Sequence, residues 1–143
     1  VHVRLAFDPT YELRTNRTKR WDSYPADRAM LADSPAAQIV DAVAPLPTEP
    51  VVVKGSVDPF IGTSLMAMLH GKGIRTIAVA GVATNLAVES AVRHAADSGL
   101  DVTVLEDLCA SFAPAAHEFS AGTILPMFAS VVSSDDYLAS LEG

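Results

Sequence analysis

The chain has 143 residues, of which 50% are hydrophobic and 19% charged, the balance of a folded domain with a substantial core rather than of a disordered segment. Its formal net charge of −7 argues against a nucleic-acid surface or an anionic membrane surface as partner. One cysteine excludes an internal disulfide, and four scattered histidines (His2, His70, His94, His117) lack metal-ligand spacing, so neither metal nor cofactor is assigned.

Val1 to Phe7 alternates and is rich in β-branched residues, which predicts a strand. Asp8 to Pro50 carries Pro9, Pro25, Pro35, Pro45, Pro47 and Pro50 together with Tyr11, Trp21 and Tyr24. A stretch of this length without clear strands predicts a binding loop or lid over residues 8–50. Within it, the basic cluster from Arg14 to Arg20, with Arg17, Lys19 and Arg20, reads as a solvated loop, and Ala36 to Val43 as a short helical turn. Val51 to Lys54 is a short buried strand. Gly62 to Gly73 follows as a helix, with Ile61, Leu65, Met68 and Leu69 on one face and Gly71 and Gly73 closing it.

Arg75 to Gly81 is continuously apolar, as in a strand covered on both faces. Thr84 or Asn85 can cap the next helix, whose buried stripe is Val88, Ala91, Val92 and Ala95 and which ends at Ser98-Gly99. Asp101 to Leu105 is a strand, Pro114 to Phe128 mostly helix, and Ala129 to Val132 a strand. Ser134-Asp135-Asp136 reads as the cap of a last helix ending near Leu141. Strands alternating with helices mean βαβ units and a parallel sheet. No apolar run approaches the ~20 residues needed to cross a bilayer. The first residues lack the features of a signal peptide, so a cytoplasmic location is expected.

In open α/β sheets ligands bind where strand ends meet helix starts, which singles out the turn after Gly81. Two stretches carry a resemblance. One is Gly81-Val82-Ala83-Thr84-Asn85-Leu86-Ala87; the other is Pro50-Val-Val-Val-Lys54 with Gly55-Ser56-Val57-Asp58-Pro59-Phe60-Ile61-Gly62-Thr63-Ser64-Leu65. They resemble the nucleophile turn, Gly-Val-x-Thr-x-x-Cys, and the lysine motif, ending in Ser-Ala-Phe-x-Gly-Thr-x-Leu, of the isochorismatase-like cysteine hydrolases. That family includes nicotinamidases and carbamoyl amidohydrolases, and the resemblance covers essentially all 143 residues. It implies a three-layer α/β/α sandwich with a mainly parallel, Rossmann-like sheet, formed as a single domain over 1–143. It also implies hydrolysis of an amide-type C–N bond or a vinyl ether in a small molecule, and assembly into a homo-oligomer.

The resemblance further implies that Lys54 stands beside the nucleophile position, where its charge would favour a thiolate. Backbone N–H groups of Leu86 and Ala87, in the turn with Val82, Ala83 and Thr84, would form the oxyanion hole, and a non-proline cis peptide would fall between Gly81 and Thr84. Phe7, Tyr11, Trp21 and Phe60 are candidates for pocket walls, with Asn85 as a polar contact, although loop aromatics can equally anchor the loop to the core.

Ala87 is the main departure, because alanine has no nucleophilic atom. Thr84 and Ser90 stand nearby without an evident base, and Cys109 reads as a small buried residue whose turn Asp107 caps or braces. His2 reads as a packed strand residue and His117 as a surface or capping residue. Some family members without the cysteine work by acid–base chemistry, using an aspartate on a first strand at the centre of the sheet. The resemblance places that strand ahead of Val1, so the chain reads as N-terminally incomplete; the alternative is a rearranged sheet in which the second and fourth strands pair. Whether the chain is an enzyme therefore stays open at this point. The rival reading is a silent homologue that binds a small molecule or serves as an assembly subunit, and no motif names the substrate.

Overall fold

The structure, a computed structural model, describes residues 1–12, 14 and 19–142. Arg17 of the basic cluster lies outside the described residues. The chain divides into two compact units, Val1–Met66 and Ala67–Gly143. All strand pairings are parallel, as the alternation of strands and helices requires.

In the first unit, β1 (His2–Leu5) and β2 (Val51–Lys54) form a two-stranded sheet, with His2 opposite Val51 and Leu5 opposite Lys54. Between them, the segment after Phe7 contains 3-10 turns at Lys19–Trp21, Pro35–Ala37 and Asp41–Val43, and one short helix, α1 (Tyr24–Asp27), absent from the sequence expectation. It is held by long-range contacts. Phe7 bridges Leu31, with the Phe7 N–H donating to Met30 O at 2.9 Å and the Ala32 N–H to Phe7 O at 2.8 Å. The Arg4 guanidinium reaches out of β1 to the carbonyls of Ala37 (2.9 Å) and Ala32 (3.3 Å) and to Gln38 Oε1 (3.1 Å). His2, expected to be packed in the strand, pairs its Nε2 with Glu49 Oε2 at 3.0 Å, tying β1 to the approach to β2.

The helix α2 (Leu65–Gly71) crosses from one unit to the other in sequence and closes at Gly73. Gly73 sits at φ +69°, a left-handed turn that glycine adopts without penalty, and the Ile74 N–H returns to Leu69 O at 3.0 Å.

The second unit holds a three-stranded sheet in the order β3 (Thr76–Val82), β4 (Asp101–Ala110), β5 (Ser130–Val132), with α3 (Glu89–Asp97), α4 (Pro114–Phe119) and α5 (Ser134–Leu141). Val88, Ala91, Val92 and Ala95 are all buried, as the helical stripe predicts. Four expectations need correction. Ala78 and Ala80 are exposed while Ile77 and Val79 are half-buried, so β3 packs through one face, its successive side chains pointing opposite ways. β4 runs on to Ala110, because after a register shift Cys109 and Ala110 pair with Gly81 and Val82. The helix expected to reach Phe128 ends at Phe119 and continues as a wider π turn (Ser120–Ile124) and a 3-10 turn (Leu125–Met127), where Pro126 has no N–H for a helical bond. Ser133, one residue ahead of the expected cap, caps α5 by accepting from the Asp136 N–H at 3.1 Å. No helix among the described residues is long and apolar enough to cross a membrane.

Candidate active site

The lysine turn belongs to the first unit. β2 alternates exposed and buried residues, which places Lys54 inward beside Val52. Lys54 is only 8% exposed, and its Nζ donates to the carbonyl of Val57. Burial pushes its ammonium below the ordinary 10.5, with the Asp58 carboxylate opposing that effect. The loop that follows is fixed by its own polar groups: Ser56 Oγ donates to Asp58 O at 2.6 Å, the Phe60 N–H to Asp58 Oδ1 at 2.8 Å, and Thr63 Oγ1 to Pro59 O at 2.6 Å. Asp58 thus orders the turn although it departs from the family's serine. Phe60 is buried there.

Of the residues expected as pocket walls, Phe7, Tyr11 and Trp21 sit together, whereas Phe60 and Asn85 lie outside their cluster. Phe7, Tyr11, Trp21 and Leu31 form a buried cluster, with Leu5, Tyr24, Met30 and Val57 packed against it. The Phe7 and Trp21 rings meet edge to face at 5.5 Å, and both residues are 2% exposed. Tyr11 donates its hydroxyl to Ala29 O at 2.7 Å. These aromatics therefore anchor the long segment, and through Val57 they buttress the loop that receives the Lys54 amine.

The second turn belongs to the other unit. Gly81 ends the regular part of β3 at φ +136°, a conformation costly for any side-chain-bearing residue, although a Cβ would meet nothing within 4 Å. The peptide between Val82 and Ala83 is cis, inside the interval expected from the resemblance. Thr84 to Val88 then forms a π turn leading into α3, with Ala83 O accepting from the N–H groups of both Leu86 (3.1 Å) and Val88 (3.2 Å). The Leu86 amide, one of the two expected oxyanion donors, is thus engaged within the turn. Ala87 is half-buried.

Neither Thr84 nor Asn85 caps the helix; Ala83 occupies the cap position without a side-chain bond. Thr84, fully buried, instead places Oγ1 2.8 Å from His117 Nδ1, and Asn85 Oδ1 accepts from the Ser111 hydroxyl. His117, read from sequence as a surface or capping residue, is a partner of the turn. Its Nε2 lies 3.9 Å from Glu106 Oε1. Cys109 is half-buried in β4 opposite Gly81, and burial pushes its thiol up, the Gly81 backbone acting against this. Asp107 braces α5 rather than the turn of Cys109: its Oδ1 accepts from the Ser134 N–H at 2.7 Å and its Oδ2 from the Ser134 hydroxyl at 2.5 Å. These bonds hold the Asp107 carboxyl below its ordinary value. Among the described residues, no three His, Cys, Asp or Glu side chains gather as a metal site would require.

The Isochorismatase domain family matches residues 1–136. Over 90 residues the chain is 34% identical to YecD, an uncharacterized isochorismatase family protein of Escherichia coli O157:H7, which covers 63% of this chain and 48% of that protein. Over 141 residues it is 27% identical to the maleamate amidohydrolase of Pseudomonas putida, covering 99% of this chain and 65% of that enzyme. The chain spans about half the length of the first curated relatives it matches. An isochorismatase family protein from Burkholderia thailandensis superposes with a TM-score of 0.88 at 27% identity, over 99% of this chain and 72% of that one. The parallel strands, the buried lysine at the end of β2 and the turn after Gly81 are thus set in the isochorismatase-like α/β fold, and the chain belongs to the isochorismatase family.

Proposed function

We propose that the chain serves hydrolysis of an amide-type C–N bond in a small molecule, by a route that uses no thiol at position 87. The observation that carries this reading is Lys54. A buried amine, its charge disfavoured by burial, at the C-terminal end of a parallel strand is the kind of group that sites assemble for chemistry. The similarity to maleamate amidohydrolase supports an amide over a vinyl ether. In this reading Lys54 supplies positive charge to the oxyanion that develops when water adds to the amide carbon. In the turn after Gly81 the Ala87 N–H is the dipolar donor this reading calls on, since the Leu86 and Val88 amides are engaged by Ala83 O. A general base takes the water proton and returns one to the departing nitrogen. Assembly into a homo-oligomer and a cytoplasmic place of action belong to the same proposal. A sedimentation mass equal to one chain would count against the first.

The test is ammonia release from maleamate and a panel of other small amides. Turnover that survives iodoacetamide treatment and disappears in Lys54→Met is the expected result. Tight binding of an amide with no turnover would overturn it in favour of a silent small-molecule binder, the reading to which the methyl group of Ala87 lends weight.

A further inference from the structure

We infer that His117 is a positioning residue for the turn that carries Ala87, acting through the Thr84 hydroxyl. Thr84 is 0% exposed, so water cannot satisfy its hydroxyl, and a buried polar group of this kind requires a partner. His117 Nδ1, at 2.8 Å, is that partner. The carboxylate of Glu106 faces the other ring nitrogen at 3.9 Å. A carboxylate accepts and does not donate, so although 3.9 Å is beyond hydrogen-bond reach its field favours the tautomer with the proton on Nε2, in which Nδ1 accepts from the Thr84 O–H. Among the described residues, the other two elements that pack most closely against α4, Thr84–Val88 and Ser120–Ile124, contain no ionisable side chain.

The burial that makes Thr84 dependent on His117 also removes it as a substitute nucleophile, because no substrate reaches a group with no exposed surface. The pair is therefore no triad, despite its hydroxyl–imidazole–carboxylate order. Its effect falls on the backbone. Thr84 and Asn85 are residue types that favour capping a helix with their own side chains. Here His117 holds the first and Ser111 the second, both from the stretch that follows β4. Two consecutive residues of the turn are thereby fixed from outside it, and with them the direction of the amides that follow. His117 touches no reacting atom in this arrangement; it sets where the first-turn dipole points.

The inference rests on the proposed hydrolase reading for its kinetic consequence, and on the structure alone for its geometric one. In the native protein, Thr84→Val, which keeps the shape and removes the hydroxyl, is expected to lower kcat about tenfold with KM changed by less than about threefold. Thr84→Ser restores the rate. His117→Phe is expected to match Thr84→Val, and the double variant to be no worse than either single one, because both remove the same contact. The imidazole nitrogen shifts are expected to report the Nε2–H tautomer in the native protein, with the Nδ1 resonance displaced in Thr84→Val as its hydrogen bond is lost. A kcat unchanged in Thr84→Val, additive losses in the double variant, or an Nδ1–H tautomer would each overturn the inference. If His117→Phe does not fold, the Thr84→Val and Thr84→Ser pair still decides. Absence of turnover in the native protein would sink the hydrolase reading, while the tautomer would still decide whether His117 holds Thr84.

Discussion

Lys54→Met is expected to make the protein more stable while abolishing the proposed amide hydrolysis. The substitution keeps an unbranched stem of similar reach and removes the charge. Three effects compete at pH 7. The first is relief from burying an ammonium at 8% exposure, the largest influence on this amine. Against it stand loss of the attraction of Asp58 and loss of the hydrogen bond to Val57 O. Exchanging a buried charge for a well-packed apolar side chain gains on the order of 1–4 kcal/mol, whereas a net hydrogen bond is worth about 1 kcal/mol. Burial wins, and the net gain is about 1 kcal/mol, or roughly 3–4 °C in Tm for a chain of this size. The pH dependence follows from the lowered amine. Below the ordinary 10.5 there is a window in which the unfolded chain holds a proton that the folded chain has released. The parent protein therefore gains stability as pH rises through that window, and Lys54→Met does not. The Tm difference should accordingly be widest near pH 7 and shrink towards pH 10, as read by calorimetry or near-UV circular dichroism. A Tm lowered by several degrees at pH 7, or a difference that widens with pH, would refute the argument that Lys54 is held at a cost to folding.

Trp21→Ala should destabilise the protein by about 3–5 kcal/mol, since it empties the centre of a cluster in which the indole is 2% exposed against Phe7 and Tyr24. Chemical denaturation measures this, and a loss below about 1 kcal/mol would show that the long segment is not anchored through that ring. Ala87→Cys places a thiol in the first turn leading into α3, where the helix dipole favours thiolate. Iodoacetamide at pH 7 should modify it roughly tenfold faster than Cys109, whose thiol is pushed up by burial, and peptide mass spectrometry separates the two sites. Equal rates would show that the turn does not favour negative charge.

What could be read from the sequence was set by local periodicity. The stripe of Val88, Ala91, Val92 and Ala95 is a pattern within one element and is buried as expected; the strand ending at Lys54 lies where expected, but only its alternate residues, Val52 and Lys54, are buried. The cis peptide at Val82–Ala83 came from the motif and not from any pattern of polarity. The failures share a cause as well. The partner of Thr84 lies 33 positions away at His117, and that of Asn85 lies 26 positions away at Ser111. A residue type that caps helices well predicts bonds to the nearest donors, while the fold supplies a distant acceptor for Thr84 and a distant donor for Asn85. β4 extends to Ala110 for the same kind of reason, through pairing with Gly81 and Val82 that its own composition does not announce. Phe7 and Trp21 were ambiguous because lining a pocket and anchoring a loop call for the same residue type.

These contacts bear on whether position 87 marks a site that has been abandoned. Thr84, Asn85 and the cis peptide describe only how the turn is built, and a turn can persist for packing alone. Lys54 is different in kind. An apolar residue would fill the place beside Val52 at lower cost to folding, so packing alone gives no reason for an amine there. Residues that break a local rule at the expense of stability are expected where function requires them. The methyl group of Ala87 removes one reaction route; the buried amine of Lys54 is the reason to test for another.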